Sequence, residues 1–185
     1  GLSPGPPAQG RLVVPGRGAA VPRAVVSVVS DTIDTAPDGL EQLKAMLAGG
    51  LKAPIGQTLA FDLVEVERGR VVFEGKPDRS VYNPLGAVHG GYAATLLDSA
   101  CGIATHSTLG PHRGHTTLEL KISYLRGLSE DSGTVRATGR IVSVGRRVAF
   151  AEAQLHDGAG RLCATATSTL LVFDVEPQGR GALQA

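Results

Sequence analysis

The chain has no tryptophan and few aromatic residues of any kind, 4% over 185 residues. A core built without large rings must be filled by Val, Leu, Ile and Ala, and recognition of nucleic acid by stacking on aromatic side chains is not expected. Cysteine is nearly absent: Cys101 and Cys163 are the only 2, they lack CxxC spacing and both fall in apolar segments, so they read as reduced core thiols. Neither sign of charge is in excess, with 18 Lys and Arg against 17 Asp and Glu. That balance gives no electrostatic reason to expect nucleic acid or an anionic membrane as a partner. No apolar run approaches the roughly 20 residues that a bilayer-spanning helix requires. The first residues lack the ordered charged, apolar and cleavage regions of a secretory signal. A cytoplasmic protein is the expectation.

Glycine and proline, by contrast, are plentiful, at 25 and 11 residues. They crowd the start of the chain, where residues 1–36 read as a flexible tail that buries too little apolar surface to offset its ordering entropy. Residues 37–174 suit one domain, followed by a short C-terminal tail at 175–185. Within the domain, Asp38 and Glu41 form a capping-box pattern, and Leu40, Leu43, Leu47 and Leu51 recur at helical spacing up to Gly49-Gly50. Two alternating runs, joined at Glu67-Arg68-Gly69-Arg70, predict a hairpin. A further strand is predicted in TTLELKISYLRG, with Leu118, Leu120, Ile122 and Tyr124 on one face. Three more strands follow, broken at Val144-Gly145-Arg146 and at Asp157-Gly158-Ala159-Gly160. Their faces are rich in alanine, which lets a sheet lie close to a helix.

Between the hairpin and the later strands lies Asn83 to Ser107, a turn that feeds a long helix starting near His89. The helix is apolar round most of its circumference, as a helix wrapped by other structure must be. Asp98 sits in its middle. An ionised carboxylate placed there is costly unless it is paired, hydrogen-bonded or protonated. The alternative is a narrow polar stripe facing water, since Thr95, Ser99 and Gly102 lie beside Asp98 at helical spacing. The order of elements predicts an α+β fold in which an antiparallel curved sheet of five or more strands wraps one long central helix.

Asn83, Gly86, His89-Gly90-Gly91, Leu97-Asp98 and Gly102 together resemble the signature of hotdog-fold thioesterases of the phenylacetate-degradation (PaaI) type. GHTTLELKISYLRG and GRRVAFAEAQLHDGAGRLCATATST resemble the strands of that family, and the similarity covers about Leu40 to Phe173. The resemblance implies an acyl-CoA thioesterase that hydrolyses a thioester to free acid and coenzyme A. Asp98 would attack the thioester carbonyl or activate water. The backbone N–H of Gly90 would face the developing oxyanion, helped by the helix dipole. His89 either contacts substrate or caps the helix, and Asn83 either donates to the thioester or simply forms the turn before Pro84.

Gly91, Thr95 and Ser99 are further candidates for the substrate site. Tyr92 reads as a packing residue. Gly102 stands where some relatives carry a hydroxyl that assists the acid, and Ser99 or Thr95 is the candidate substitute. Arg126, Arg146 and Arg147 are candidate partners for the phosphates of coenzyme A, which arrives with the substrate and is not a resident cofactor. His106, His112 and His115 lack metal-ligand spacing and read as exposed loop histidines. Hotdog domains pair through their sheets, so the resemblance also implies a homodimer or homotetramer with active sites between subunits. Two other readings remain open: a hotdog dehydratase or hydratase, and a non-catalytic module that binds acyl-CoA.

Overall fold

Asp38 opens the first helix. The computed structural model describes residues 36–176; the two expected tails lie outside the described residues apart from their innermost positions. In α1 (Gly39–Ala48) the Asp38 carboxylate accepts from the Glu41 N–H at 2.9 Å, and the Glu41 carboxylate accepts from the Asp38 N–H at 2.8 Å. The capping box is therefore formed as the sequence predicts. Of the leucines at helical spacing Leu43 is buried, while Leu47 stays exposed and Leu51 lies past the cap at Gly49. A short helix α2 (Pro54–Leu59) follows, with Pro54 at its first position and a left-handed Ala60 at its end. Six residues are too few to display a period, and α2 was not legible as a helix.

The strands β1 (Phe61–Glu67) and β2 (Arg70–Gly75) form the expected hairpin, with Gly69 at φ +77° in the turn. The long helix α3 (Gly90–His106) comes next, followed by β3 (Arg113–Tyr124), β4 (Val135–Val144), β5 (Val148–His156) and β6 (Leu162–Asp174). All pairings are antiparallel, in the order β1-β2-β4-β5-β6-β3. After α3 the chain thus crosses to the far edge of the six-stranded sheet, and the sheet curls round the helix. None of the helices among the described residues is long and apolar enough to cross a membrane.

Small residues set how tightly the sheet wraps. Ala149, Ala151 and Ala153 of β5 and Ala164 and Ala166 of β6 are buried together with Leu96, Leu97, Ala100, Cys101 and Ala104 of α3. Gly139 of β4 makes the closest approach: a Cβ there would lie 2.2 Å from the Ala100 carbonyl oxygen and 2.4 Å from its carbon. Backbone cannot yield as a side-chain tip can. Gly139→Ala is expected to cost about 3 kcal/mol, the upper end of ordinary overpacking, read as a lower denaturation midpoint in guanidinium chloride; an unchanged midpoint would contradict this packing.

In β3 the alternating pattern misleads. The register shifts between Thr117 and Glu119, so that a bulge reverses which residues face inward. Leu120 and Ile122 pack against the core, but Leu118 is 60% exposed and does not share their face as expected. Before the bulge it is His115 and Thr117 that turn toward α3.

Candidate active site

The start of α3 explains each residue of its His-Gly-Gly sequence. His89 is the N-cap, and its Nδ1 accepts from the Gly91 N–H at 2.8 Å. A Cβ at Gly91 would sit 2.8 Å from that nitrogen, so the cap requires glycine. Of the two roles open for His89 the structure displays the capping one, with Nε2 left to carry the ring proton. Tyr124, at the end of β3, donates its hydroxyl to the Gly90 carbonyl at 2.8 Å, and a Cβ at Gly90 would lie 3.2 Å from that hydroxyl. The Gly90 N–H belongs to the first helical turn and meets no acceptor among the described residues. It points from the positive end of the helix dipole.

Asn83 shapes the approach to this turn. Its Oδ1 accepts from the N–H groups of Leu85 at 2.9 Å and Ala87 at 3.2 Å, and Gly86 adopts φ +84°. The oxygen is thus committed to the loop, leaving the amide NH2 to donate elsewhere. His89, Gly90, Tyr124 and Arg126 line a cavity of about 230 Å³.

Asp98 lies in the wall of a different and larger cavity, of about 420 Å³, between α3, β3 and the α1–α2 segment. The carboxylate is half-buried, and the Thr117 hydroxyl donates to its Oδ1 at 3.0 Å. Leu43, Leu47, Ile55, Phe61, Phe73 and Ile103 make most of the lining apolar. Ser99 and Gly102 share this wall, so the polar stripe faces a cavity instead of open water. Thr95 does not join it: its hydroxyl donates back to the Gly91 carbonyl at 2.9 Å. Thr117 escaped sequence reasoning because strict alternation would have turned it outward.

The expectation of exposed loop histidines fails for two of the three. His106 is the last residue of α3 and His115 lies on β3; both are half-buried, with ring centroids 5.6 Å apart. His106 Nε2 is 3.1 Å from Gln42 Oε1, which can only accept, so this nitrogen carries the proton. Only His112 is in the loop and exposed. Burial pushes both the His106 and the His115 imidazole below the ordinary value of 6.5, His115 being lowered further by His106 and partly raised by Asp98. Below about pH 6.5 the unfolded chain therefore binds more protons at these sites than the folded one. Stability from this source is complete above that pH and is lost as pH falls. The expected result is a melting temperature that drops between pH 7.5 and 5.5, with a shallower slope in His106→Gln; equal slopes would exclude His106 as a contributor.

Tyr92 is a packing residue, as expected: it is buried, its hydroxyl has no partner among the described residues, and desolvation, aided by Asp78, pushes it up to about 12. Burial likewise raises the Cys101 thiol to about 12, and both cysteines are free and buried. Among the described residues no cluster of three or more His, Cys, Asp or Glu could hold a metal ion.

Not every candidate residue converges. Gly90 and Asp98 are on one helix but eight residues apart, about 12 Å of rise, and they open into separate cavities. Arg126 follows the end of β3 and joins the Gly90 cavity. Arg146 and Arg147 are exposed beside the start of β3, where the Arg113 guanidinium donates to the Arg146 carbonyl and the Val172 N–H to that of Arg147. Within one chain the length of β3, on the order of 30 Å, separates them from Arg126.

A long helix wrapped by a six-stranded antiparallel sheet, with an acid on the helix facing a cavity, defines a hotdog-fold protein. Residues 85–164 match the model of the thioesterase superfamily. Human acyl-coenzyme A thioesterase 13 is 31% identical over 135 residues, which are 70% of this chain and 90% of that protein. A Streptococcus mutans protein solved with bound acetyl CoA is 30% identical with a TM-score of 0.57, over 63% of this chain and 91% of its own. A phenylacetic acid degradation-related protein from Ralstonia eutropha is 29% identical with a TM-score of 0.63, over 69% of this chain and 97% of its own. The chain belongs to the thioesterase superfamily.

Proposed function

We propose that this protein is an acyl-CoA thioesterase of the phenylacetate-degradation type, hydrolysing a thioester to a carboxylic acid and free coenzyme A. The observation that carries the reading is Asp98: a carboxylate held by Thr117 in the wall of a mostly apolar cavity of about 420 Å³. A carboxylate so placed either attacks the thioester carbon directly or takes a proton from the attacking water. Thr117 fixes its orientation and leaves the second oxygen for that work.

The oxyanion needs a donor, and the Gly90 N–H supplies one with a dipole behind it. Because Gly90 and Asp98 of one chain open into different cavities, a working site takes Asp98 from one subunit and Gly90 from another. The reading thus includes a homodimer, or a dimer of dimers, whose two sites lie between subunits. In each site Asn83 and His89 would stand on the Gly90 side, Asn83 through its NH2 and His89 through its Nε2–H. Gly91 keeps the cap in place, Ser99 borders the acyl cavity and Thr95 holds the first turns of the helix. Arg126 is the arginine best placed for a coenzyme A phosphate, and Arg146 and Arg147 reach the same molecule only if they come from another subunit.

The names of relatives agree with this reading: besides the human thioesterase, a 1,4-dihydroxy-2-naphthoyl-CoA hydrolase of Listeria monocytogenes is 26% identical over 116 residues. Incubation with short, medium, long and aryl acyl-CoAs, followed by release of free thiol, tests it. Thiol should appear with at least one class. Binding of every class without thiol release would leave a non-catalytic acyl-CoA module, and a hydrated product would leave a hydratase.

A further inference from the structure

Strand β3 sends a hydroxyl to α3 at two places. Thr117 bonds the Asp98 carboxylate and, seven residues on, Tyr124 bonds the Gly90 carbonyl. Successive residues of a strand face opposite sides, so an odd separation would put the two hydroxyls on opposite faces of the sheet. The bulge between Thr117 and Glu119 adds the one residue that brings both onto the face toward α3, with Leu120 and Ile122 packed against the core between them. A single strand thus grips the acid near its middle and the start of the helix with its last residue.

Tyr124 is 55% exposed, so without Gly90 its hydroxyl would bond water, and the contact adds little to folding. What it restrains is the segment that presents the oxyanion donor. Gly90 and Gly91 open α3, and two consecutive glycines make a pliant start to a helix. The His89 ring fixes the Gly91 N–H, whereas the Gly90 N–H meets no acceptor among the described residues and is not held by a bond of its own. Tyr124 holds the same residue by its carbonyl, from a different element, and its ring edge crowds the α-carbon, where a Cβ would meet Cζ at 3.3 Å. Resting on the thioesterase reading, we propose that Tyr124 is a positioning residue, which keeps the Gly90 N–H aimed at the developing oxyanion. A preorganised donor stabilises that charge without moving during the reaction, and a donor free to swing loses the advantage. The ground-state thioester carries little charge on its oxygen, so the restraint acts on the transition state more than on substrate binding.

Tyr124→Phe keeps the ring and removes the hydroxyl. In the full-length protein, with the acyl-CoA it hydrolyses fastest, kcat should fall about tenfold, the equivalent of one net hydrogen bond, while KM stays within about twofold. The thermal midpoint should not change. Gly90→Pro removes the N–H outright and leaves Tyr124 nothing to aim, so in single-turnover reactions the double variant Gly90→Pro, Tyr124→Phe should be no slower than Gly90→Pro alone. A Tyr124→Phe enzyme that keeps more than half the parental kcat, or whose loss lies in KM alone, overturns the proposal. So does a further drop of the same size on top of Gly90→Pro, which would mark a role independent of that N–H. In each of these cases thiol release by the parent protein leaves the thioesterase reading intact. Thiol release by neither the parent nor the variants, across short, medium, long and aryl acyl-CoAs, overturns both.

Discussion

Asp98→Asn is expected to lower kcat for acyl-CoA hydrolysis by about a thousandfold, within the range found when a positioned acid–base group is removed. The amide keeps the shape of the carboxylate, and its oxygen can still accept from the Thr117 hydroxyl that now bonds Oδ1. Folding is therefore expected to persist, with an unchanged thermal midpoint. Asparagine lacks the negative charge that either attacks a carbonyl or accepts the water proton, so both forms of the mechanism fail together. A variant retaining more than a tenth of the parental kcat would remove Asp98 from the chemistry.

The second large effect concerns the assembly. Gly90→Pro removes the N–H itself at the first helical position, which proline suits, and is expected to inactivate the enzyme alone. Mixed with Asp98→Asn by co-expression, however, it should restore activity. In a two-fold dimer of the two variants, one site combines both lesions and the other receives Asp98 from one chain and Gly90 from its partner. Random pairing makes about half the dimers mixed, each with one working site, so about a quarter of the parental activity returns. If the residues acted within one chain, no working site would form and the mixture would stay inactive.

Much of the fold was legible because it rests on local rules. The Asp38–Glu41 capping box, the Gly69 turn and the strand breaks at Gly145 and Gly158 depend on a few adjacent residues, and they lie where the pattern puts them. Helix α2 was not legible, since a short segment opened by Pro54 and closed at Ala60 has no room for a period. The candidate site divides the same way. His89 and Asp98 could be picked out from spacing and from the oddity of an acid in an apolar helix. Thr117 could not, because one bulge before Glu119 reverses the facing of β3, and His115 was assigned to the loop although β3 already begins at Arg113.

By itself, then, the sequence determined every strand and the two longer helices, including the wrapped one and its acid, through short-range propensity and periodicity. Only the tertiary structure decided what surrounds that acid. The far-edge placement of β3 sets Thr117 on Asp98 and His115 on Gly102, while α1 and α2 close an apolar cavity over them. Those contacts join residues remote in the chain, and their pairing depends on the register of the sheet and the curl forced by its alanines, which no local pattern encodes.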